Sequence, residues 1–246
     1  MRHATLGRMD YAEHPVPPAL AGLVAAIWTA SVPADGPTWI AQEAVPDGCV
    51  ELIRRHAGRS RWRRDQPAVF ATGLATVTAK LEFGAGAGFT AIKLWPWAWH
   101  ALGGQRCASF ADDWIPIADP RLVGLLDGDP RRIAARLETA FAGIEAPAFA
   151  RALLVAQSVA DVTHATGLAP RALQRLCAGE LGMPPRCYLR LLRFRDALAD
   201  IHTADSLADT AAAQGYADQA HMAREFRSLA GLPPSAARSR AKGPFV

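Results

Sequence analysis

The side chains best suited to recognition chemistry lie in two short segments near the C-terminus. Each segment carries three hydrogen-bonding side chains: Arg171, Gln174 and Arg175 in the first, and Gln219, His221 and Arg224 in the second. Arginine can donate two parallel hydrogen bonds to guanine, and glutamine can pair with adenine in a similar way. Residues three or four positions apart lie on one face of a helix. The spacing therefore predicts two helices that each present a base-reading face.

These two segments belong to an internal repeat. Val159-Ala160-Asp161 is matched 48 positions later by Leu207-Ala208-Asp209, and Gly182–Pro185 is matched 49 positions later by Gly231–Pro234. Each copy predicts a helix, a glycine-containing turn and a second helix, a layout in which the second helix enters the major groove of DNA. A plain helical hairpin is the alternative, and the repetition argues against it.

Local signals indicate where these helices begin and end. Ser158 and Ser206 each stand three residues before an aspartate, a pattern typical of the first turn of a helix. Gly167 and Gly215 permit the sharp turn that ends the first helix of each copy. The second helices are expected to turn four apolar residues inward: Leu173, Leu176, Met222 and Phe226.

One long helix is expected between the two copies. The segment Pro185–Ile201 carries an apolar stripe along its length. Such a helix would hold the two recognition helices about 34 Å apart, the spacing of successive major grooves. Three arginines belong to it: Arg190, Arg193 and Arg195. They either reach DNA phosphates or pair with Asp196 and Asp200, and Arg190 is our candidate for a phosphate contact.

Residues 158–238 resemble the DNA-binding domain of the AraC/XylS family of bacterial transcription regulators. The stretches that carry the resemblance are Val159–Leu176, Tyr188–Leu198, Gly215–Arg227 and Ala230–Arg238. The resemblance implies that the six side chains described first read bases in double-stranded promoter or operator DNA. It also implies RNA polymerase as a partner and no cofactor, and it leaves a homodimer open.

Three positions depart from the family pattern. Ala169 and Ala217 stand where the family commonly has a capping serine, and Cys177 replaces a usual phenylalanine. Loss of an N-cap costs about 1 kcal/mol of helix stability. We therefore expect the first recognition helix to be held less firmly.

Composition divides the 246-residue chain into two parts. Residues 151–246 hold 12 basic and 8 acidic residues, whereas residues 1–150 hold 15 of each. All seven tryptophans lie before residue 115. An excess of positive charge in one part and of tryptophan in the other indicates two domains with different functions. We place them at residues 1–143 and 148–240.

The N-terminal part has the sequence pattern of a β-rich domain. Thr76–Phe83 alternates between apolar and polar residues, as a half-buried strand does, and Phe89–Trp95 is expected to return beside it. Turns at residues 46–48 and 56–60 are expected to close two further hairpins. The apolar segment Pro17–Ile27 is expected to form a short helix.

This part also resembles, through residues 45–53 and 91–102, an uncharacterised sensor-type domain that precedes the DNA-binding domain in a group of bacterial regulators. The resemblance implies a domain that senses a small-molecule effector or mediates assembly. Trp95, Trp97 and Trp99 could line an aromatic ligand pocket or belong to the core. The arginines of residues 54–64 could bind phosphate or lie on a solvated hairpin.

No motif supports catalysis. The chain has no P-loop and no G-x-G-x-x-G or G-x-S-x-G motif, its four cysteines form no C-x-x-C pair, and its histidines show no metal-binding spacing. The longest apolar run, Ala19–Ala30, is shorter than the about 20 residues that a membrane helix needs. Because we also find no secretory signal, we expect a cytoplasmic protein with no membrane partner.

The sequence thus predicts an α+β chain. A β-rich N-terminal domain, with a small barrel as one possible form, precedes an all-α domain with two helix-turn-helix units. The predicted function is sequence-specific DNA binding in transcription regulation, under the control of a small molecule. The alternatives are an enzyme or small-molecule carrier whose C-terminal repeat is structural, and a DNA-repair regulator with a methyl-accepting cysteine.

Overall fold

The N-terminal part is built from β-strands. The structure is a computed structural model that describes residues 2–6 and 9–239. Its eleven strands are β1 (Arg2–Leu6), β2 (Met9–His14), β3 (Val24–Ser31), β4 (Trp39–Ala44), β5 (Val50–Ala57), β6 (Ser60–Trp62), β7 (Arg64–Asp65), β8 (Val69–Thr72), β9 (Ala79–Gly84), β10 (Gly88–Leu94) and β11 (Trp114–Pro116).

These strands form two antiparallel sheets. The larger has the order β1-β2-β3-β10-β5-β8-β11 and the smaller the order β4-β9-β6-β7. Apolar side chains from both sheets meet in one buried cluster that includes Trp28 and Phe89 from the large sheet and Trp62 and Phe83 from the small one. Among the described strands neither sheet closes on itself, so the β-rich domain is confirmed as two open, stacked sheets and not as a barrel.

The strand pairing expected in the three hairpins is wrong. Strands β4 and β5, β5 and β6, and β9 and β10 are consecutive in the chain, but the members of each pair belong to different sheets. Each turn therefore carries the chain from one layer to the other. Alternating apolar residues mark a strand with one buried face in either arrangement, so the sequence pattern does not identify the pairing partner.

The helix expected at Pro17–Ile27 is also wrong. Only Pro18–Leu20 is helical, as a single 3-10 turn, and the chain then enters strand β3. Strand β3 is paired on both sides, by β2 and β10. A central strand of this kind carries a continuous apolar run, which periodicity alone does not distinguish from a buried helix.

Ten α-helices and a second 3-10 turn, at Cys107–Ser109, complete the described chain. The α-helices follow in chain order. They are α1 (Pro96–Ala101), α2 (Pro120–Leu125), α3 (Pro130–Ala140), α4 (Ala148–Val155), α5 (Val159–Thr166), α6 (Pro170–Glu180), α7 (Pro185–Asp200), α8 (Leu207–Ala213), α9 (Gln219–Ala230) and α10 (Pro234–Arg238). Helices α4–α10 form the all-α part that the sequence predicts. In the described residues no helix combines the length and apolar character needed to cross a membrane.

One hydrophobic core joins the two parts of the chain. The Trp97 ring, in α1, meets the edges of Phe149 in α4 and Tyr188 in α7, with ring centroids 6.2 and 6.3 Å apart. The Tyr188 hydroxyl donates a hydrogen bond of 2.8 Å to the carbonyl oxygen of Gly48. The domain limits at residues 143 and 148 stay a prediction, and the two parts share a buried interface.

This interface makes Trp97 a structural residue for both parts. We expect Trp97→Ala to lower the free energy of unfolding by about 3–5 kcal/mol, because it leaves a cavity in the shared core. Trp39→Ala is the control, since Trp39 is only half-buried on β4. Urea unfolding followed by circular dichroism measures both variants, and equal losses would contradict the assignment.

Candidate nucleic-acid interface and sensor cavity

The first helix-turn-helix unit consists of α5 and α6. The Ser158 hydroxyl accepts a hydrogen bond from the Asp161 backbone N–H at 3.2 Å, and the Asp161 carboxylate accepts one from the Ser158 N–H at 2.8 Å. Gly167 ends α5 with φ of 67°, a left-handed conformation that suits glycine. Helix α6 then begins after Ala169, whose side chain offers no cap, as the sequence predicts.

The second unit, α8 and α9, is capped differently from the prediction. Ser206 again begins the first helix and accepts from the Asp209 N–H at 3.1 Å. The N-cap of α9, however, is Asp218 and not Ala217: its carboxylate accepts from the His221 N–H at 2.6 Å. The His221 imidazole Nδ1 accepts from the Ala217 N–H at 3.3 Å. The second recognition helix is therefore well capped despite its alanine.

The predicted base-reading side chains fall into two groups. Five are exposed, and within the described residues none of them has an intramolecular hydrogen-bond or ion-pair partner: Arg171, Gln174, Arg175, Gln219 and Arg224. His221 is half-buried instead, with its ring edge against Tyr216 and one nitrogen used in capping. Because the His221 side chain helps to cap its own helix, it is less available for a base contact than the five exposed side chains.

The three arginines of α7 all make intramolecular contacts. Arg190 donates to Glu225 of α9 at 2.6 Å and to Ser228 at 2.8 Å. Arg193 donates to the Gln157 carbonyl oxygen, and Arg195 pairs with Asp196. Of the expected pairs with Asp196 and Asp200, the described residues contain only Arg195 with Asp196, and the partner of Arg190 is Glu225. The phosphate-contacting role of Arg190 stays a prediction.

The tryptophans expected near a ligand lie in the core. Trp95 and Trp97 stack with ring centroids 5.6 Å apart, and Trp99 is fully buried. The indole N–H of Trp97 donates to the Gly22 carbonyl oxygen and that of Trp99 to the Gln105 carbonyl oxygen. Their polar atoms are thus used by the protein itself. These three rings lie outside the lining of the cavity described next.

A cavity lies between the two sheets, where sequence reasoning did not place one. It encloses about 760 Å³ of empty space, counting the open solvent at its mouth. Five aromatic rings contribute to its walls: Trp28, Trp62, Phe70, Phe83 and Phe89. Its apolar and aromatic walls are typical of small-molecule sites. No linear motif reveals it, because its walls come from strands that are distant in sequence.

A buried ionic cluster forms one corner of this cavity. Lys93 on β10 contacts Asp47 at 2.5 Å and Glu51 on β5 at 3.2 Å. Burial by itself would lower the pKa of Lys93, but the two carboxyl groups outweigh that effect and hold the pKa well above its usual range. Burial raises the pKa of Glu51, whereas Lys93 acts in the opposite direction.

The arginines of residues 54–64 are mostly used inside the domain. Four of them form ion pairs, and these are Arg54 with Asp127, Arg59 with Asp65, Arg61 with Glu82 and Arg64 with Asp113. Arg55 donates to the carbonyl oxygens of Gly58 and Gln66. This arrangement matches a solvated, paired surface better than a phosphate site.

Two family profiles match separate parts of the chain. A family described as "Helix-turn-helix domain" matches residues 150–240, and one described as "Domain of unknown function (DUF6597)" matches residues 12–116. The C-terminal domain is an AraC-type helix-turn-helix domain. The cavity lies in the domain of unknown function. No curated protein matches the chain at a significant level of similarity.

Solved structures of ToxT from Vibrio cholerae are similar to this chain. A 1.65 Å structure of ToxT is matched with a TM-score of 0.49 and 8% identity, over 84% of this chain and 100% of that chain. Wild-type ToxT with a bound unsaturated fatty acid, from strain SCE256, is matched with a TM-score of 0.44 and 9% identity, over 82% of this chain and 95% of that chain.

The different caps of the AraC-type domain can be tested by unfolding. We expect Ala169→Ser to raise the free energy of unfolding by about 0.5–1 kcal/mol, because it supplies the missing cap of α6, and Asp218→Ala to lower it by about 1 kcal/mol. Ala217→Ser is the matched control, since Asp218 already caps α9. A gain at Ala217 equal to that at Ala169 would contradict the assigned caps.

Proposed function

We propose that this protein is a sequence-specific DNA-binding transcription regulator whose N-terminal domain responds to a small molecule. The observation that carries the DNA-binding part is the pair of exposed polar faces on α6 and α9. Both helices are second helices of helix-turn-helix units, and both lie in the basic part of the chain. Free arginine and glutamine side chains at these places suit bidentate contacts to guanine and adenine.

The response to a small molecule is supported by two contacts between the cavity wall and the AraC-type domain. Residues 46–48 form one: Asp47 lines the cavity, and the neighbouring Gly48 carbonyl oxygen accepts a hydrogen bond from Tyr188 of α7. Thr78, beside the cavity-lining Ala79, forms the other. Its backbone N–H and hydroxyl both donate to the carbonyl oxygen of Leu229 in α9, at 3.0 and 2.9 Å.

These contacts favour a regulator over a protein with a purely structural repeat. A ligand that shifts the cavity wall acts directly on α7, which spaces the two units, and on α9, which is a recognition helix. Such a ligand changes DNA affinity only if it binds the DNA-binding arrangement of the protein with a different affinity from the arrangement that does not bind DNA. An enzyme or carrier with a structural repeat would have no need for unpaired arginines on both second helices.

The base-reading roles can be tested by substitution. We expect Arg175→Ala and Arg224→Ala each to weaken binding to a selected site by about 1–3 kcal/mol, with a much smaller loss on random duplex. The two changes should relax base preference at positions about one helical turn apart, since each helix lies in its own groove. Titration of fluorescent duplexes and their single-base variants measures this.

Two other arginines serve as comparisons for these variants. Arg190→Ala should weaken binding to all sequences alike if Arg190 contacts a phosphate. Arg132→Ala, an exposed change on α3 in the N-terminal part, should leave DNA affinity unchanged. Unchanged base preference in both Arg175→Ala and Arg224→Ala would overturn the assignment of α6 and α9.

Salt dependence tests the electrostatic part of the proposal. We expect the logarithm of the DNA association constant to fall linearly with the logarithm of salt concentration, with a slope of about −0.9 for each phosphate neutralised. Titrations on the selected site at four salt concentrations measure the slope. Failure to bind any genomic fragment at low salt would favour the structural-repeat alternative.

A further inference from the structure

The cavity between the two sheets is lined by more acidic than basic side chains. Among its lining side chains Lys93 is the one cation, whereas Asp47 and Glu51 are both acids. Lys93 is 8% exposed, and both of its ionic contacts go to these two carboxyl groups. An anionic ligand would therefore have to displace a carboxylate from Lys93 and then lie beside it. A cationic ligand would meet Glu51, whose one ionic partner among the described residues, Lys93, is shared with Asp47.

We propose that this cavity binds an organic cation, a protonated amine or quaternary ammonium group on an apolar body, with Glu51 and Asp47 as its charge partners. The proposal rests on the sensing role proposed above and names the chemical class of the effector. It assigns the apolar body to the aromatic walls and the cationic group to the corner beside Glu51.

The walls provide the second part of the recognition. The faces of tryptophan and phenylalanine rings attract cations, most strongly where water is excluded. Trp28 and Glu51 both line the cavity. A cation beside the Glu51 carboxyl would favour the charged form of that carboxyl by direct attraction. Aromatic rings and a carboxylate together select for positive charge.

Glu51 is positioned by its register in the sheet. Its Cα pairs with that of Lys93 across strands β5 and β10, so the two side chains lie on the same face of the large sheet. Asp47 reaches the same corner from the turn before β5, and its other carboxylate oxygen accepts a hydrogen bond from the Cys49 N–H at 3.0 Å. Of the two acids, Asp47 holds Lys93 at the shorter distance, which leaves Glu51 as the better partner for a ligand.

Three probes of nearly equal shape test the ligand class on the full chain. They are 2-phenylethylamine, 2-phenylethanol and phenylacetate, which are cationic, neutral and anionic at pH 7. We expect the amine to raise the melting temperature and to change tryptophan fluorescence. Its affinity should exceed that of the other two by about tenfold or more, because only the amine adds charge and cation–π attraction.

Two glutamate variants then locate the binding site. Glu51→Gln should weaken amine binding by about tenfold or more and remove the preference over the alcohol. Glu82→Gln is the matched control, because Glu82 lies on β9 outside the cavity lining and pairs with Arg61 at the surface. Circular dichroism of each variant before titration reports its folding.

The outcomes separate this proposal from the regulatory one. Three outcomes overturn the organic-cation assignment. The first is binding of phenylacetate or the alcohol that is as tight as that of the amine or tighter. The others are the absence of a melting shift with the amine, and an amine preference that Glu51→Gln retains. The wild-type probe series decides this even if Glu51→Gln fails to fold. Duplex titrations performed without any probe test the regulator separately, so loss of one proposal leaves the other measurable.

Discussion

A buried tyrosine hydroxyl determines how the two parts of this protein fit together. Tyr188 is fully buried in α7, where its hydroxyl has no access to water. A buried hydroxyl without a hydrogen bond is costly, and the Gly48 carbonyl oxygen provides the partner. Gly48 has φ of 79°, and a Cβ at this position would lie 3.0 Å from Leu192. Glycine thus lets the turn approach α7 closely enough for the bond.

Much of the proposed regulation follows from the position of this turn. Its Asp47 side chain belongs to the ionic corner of the cavity, while the next residue contacts the helix that spaces the two DNA-binding units. Closely packed interfaces tend to have discrete arrangements and do not deform continuously. A ligand that rearranges the ion pair of Asp47 and Lys93 would therefore act on α7 through the backbone of Gly48, the residue that follows Asp47.

The DNA-binding part shows a division between side chains that hold the fold and side chains that are free. Arg190 joins α7 to α9 through Glu225, and His221 caps α9, so both are committed within the domain. Arg171, Arg175 and Arg224 are exposed without such partners among the described residues. Five of the six predicted base-reading side chains are therefore available for DNA contacts. The sixth, His221, caps its own helix.

The elements with local signals could be predicted from the sequence. They are the two helix-turn-helix copies, the serine caps, the glycine at position 167 and the long helix predicted at Pro185–Ile201. The structure contains each of them, with the long helix at Pro185–Asp200. The pairing of the strands depends on the tertiary structure, because alternating apolar and polar residues give the same pattern in either sheet. The tertiary structure also placed Trp97 in the core and assembled the cavity from Lys93, Asp47 and distant aromatic rings. Such contacts depend on which strands become neighbours, and no short stretch of sequence carries that information.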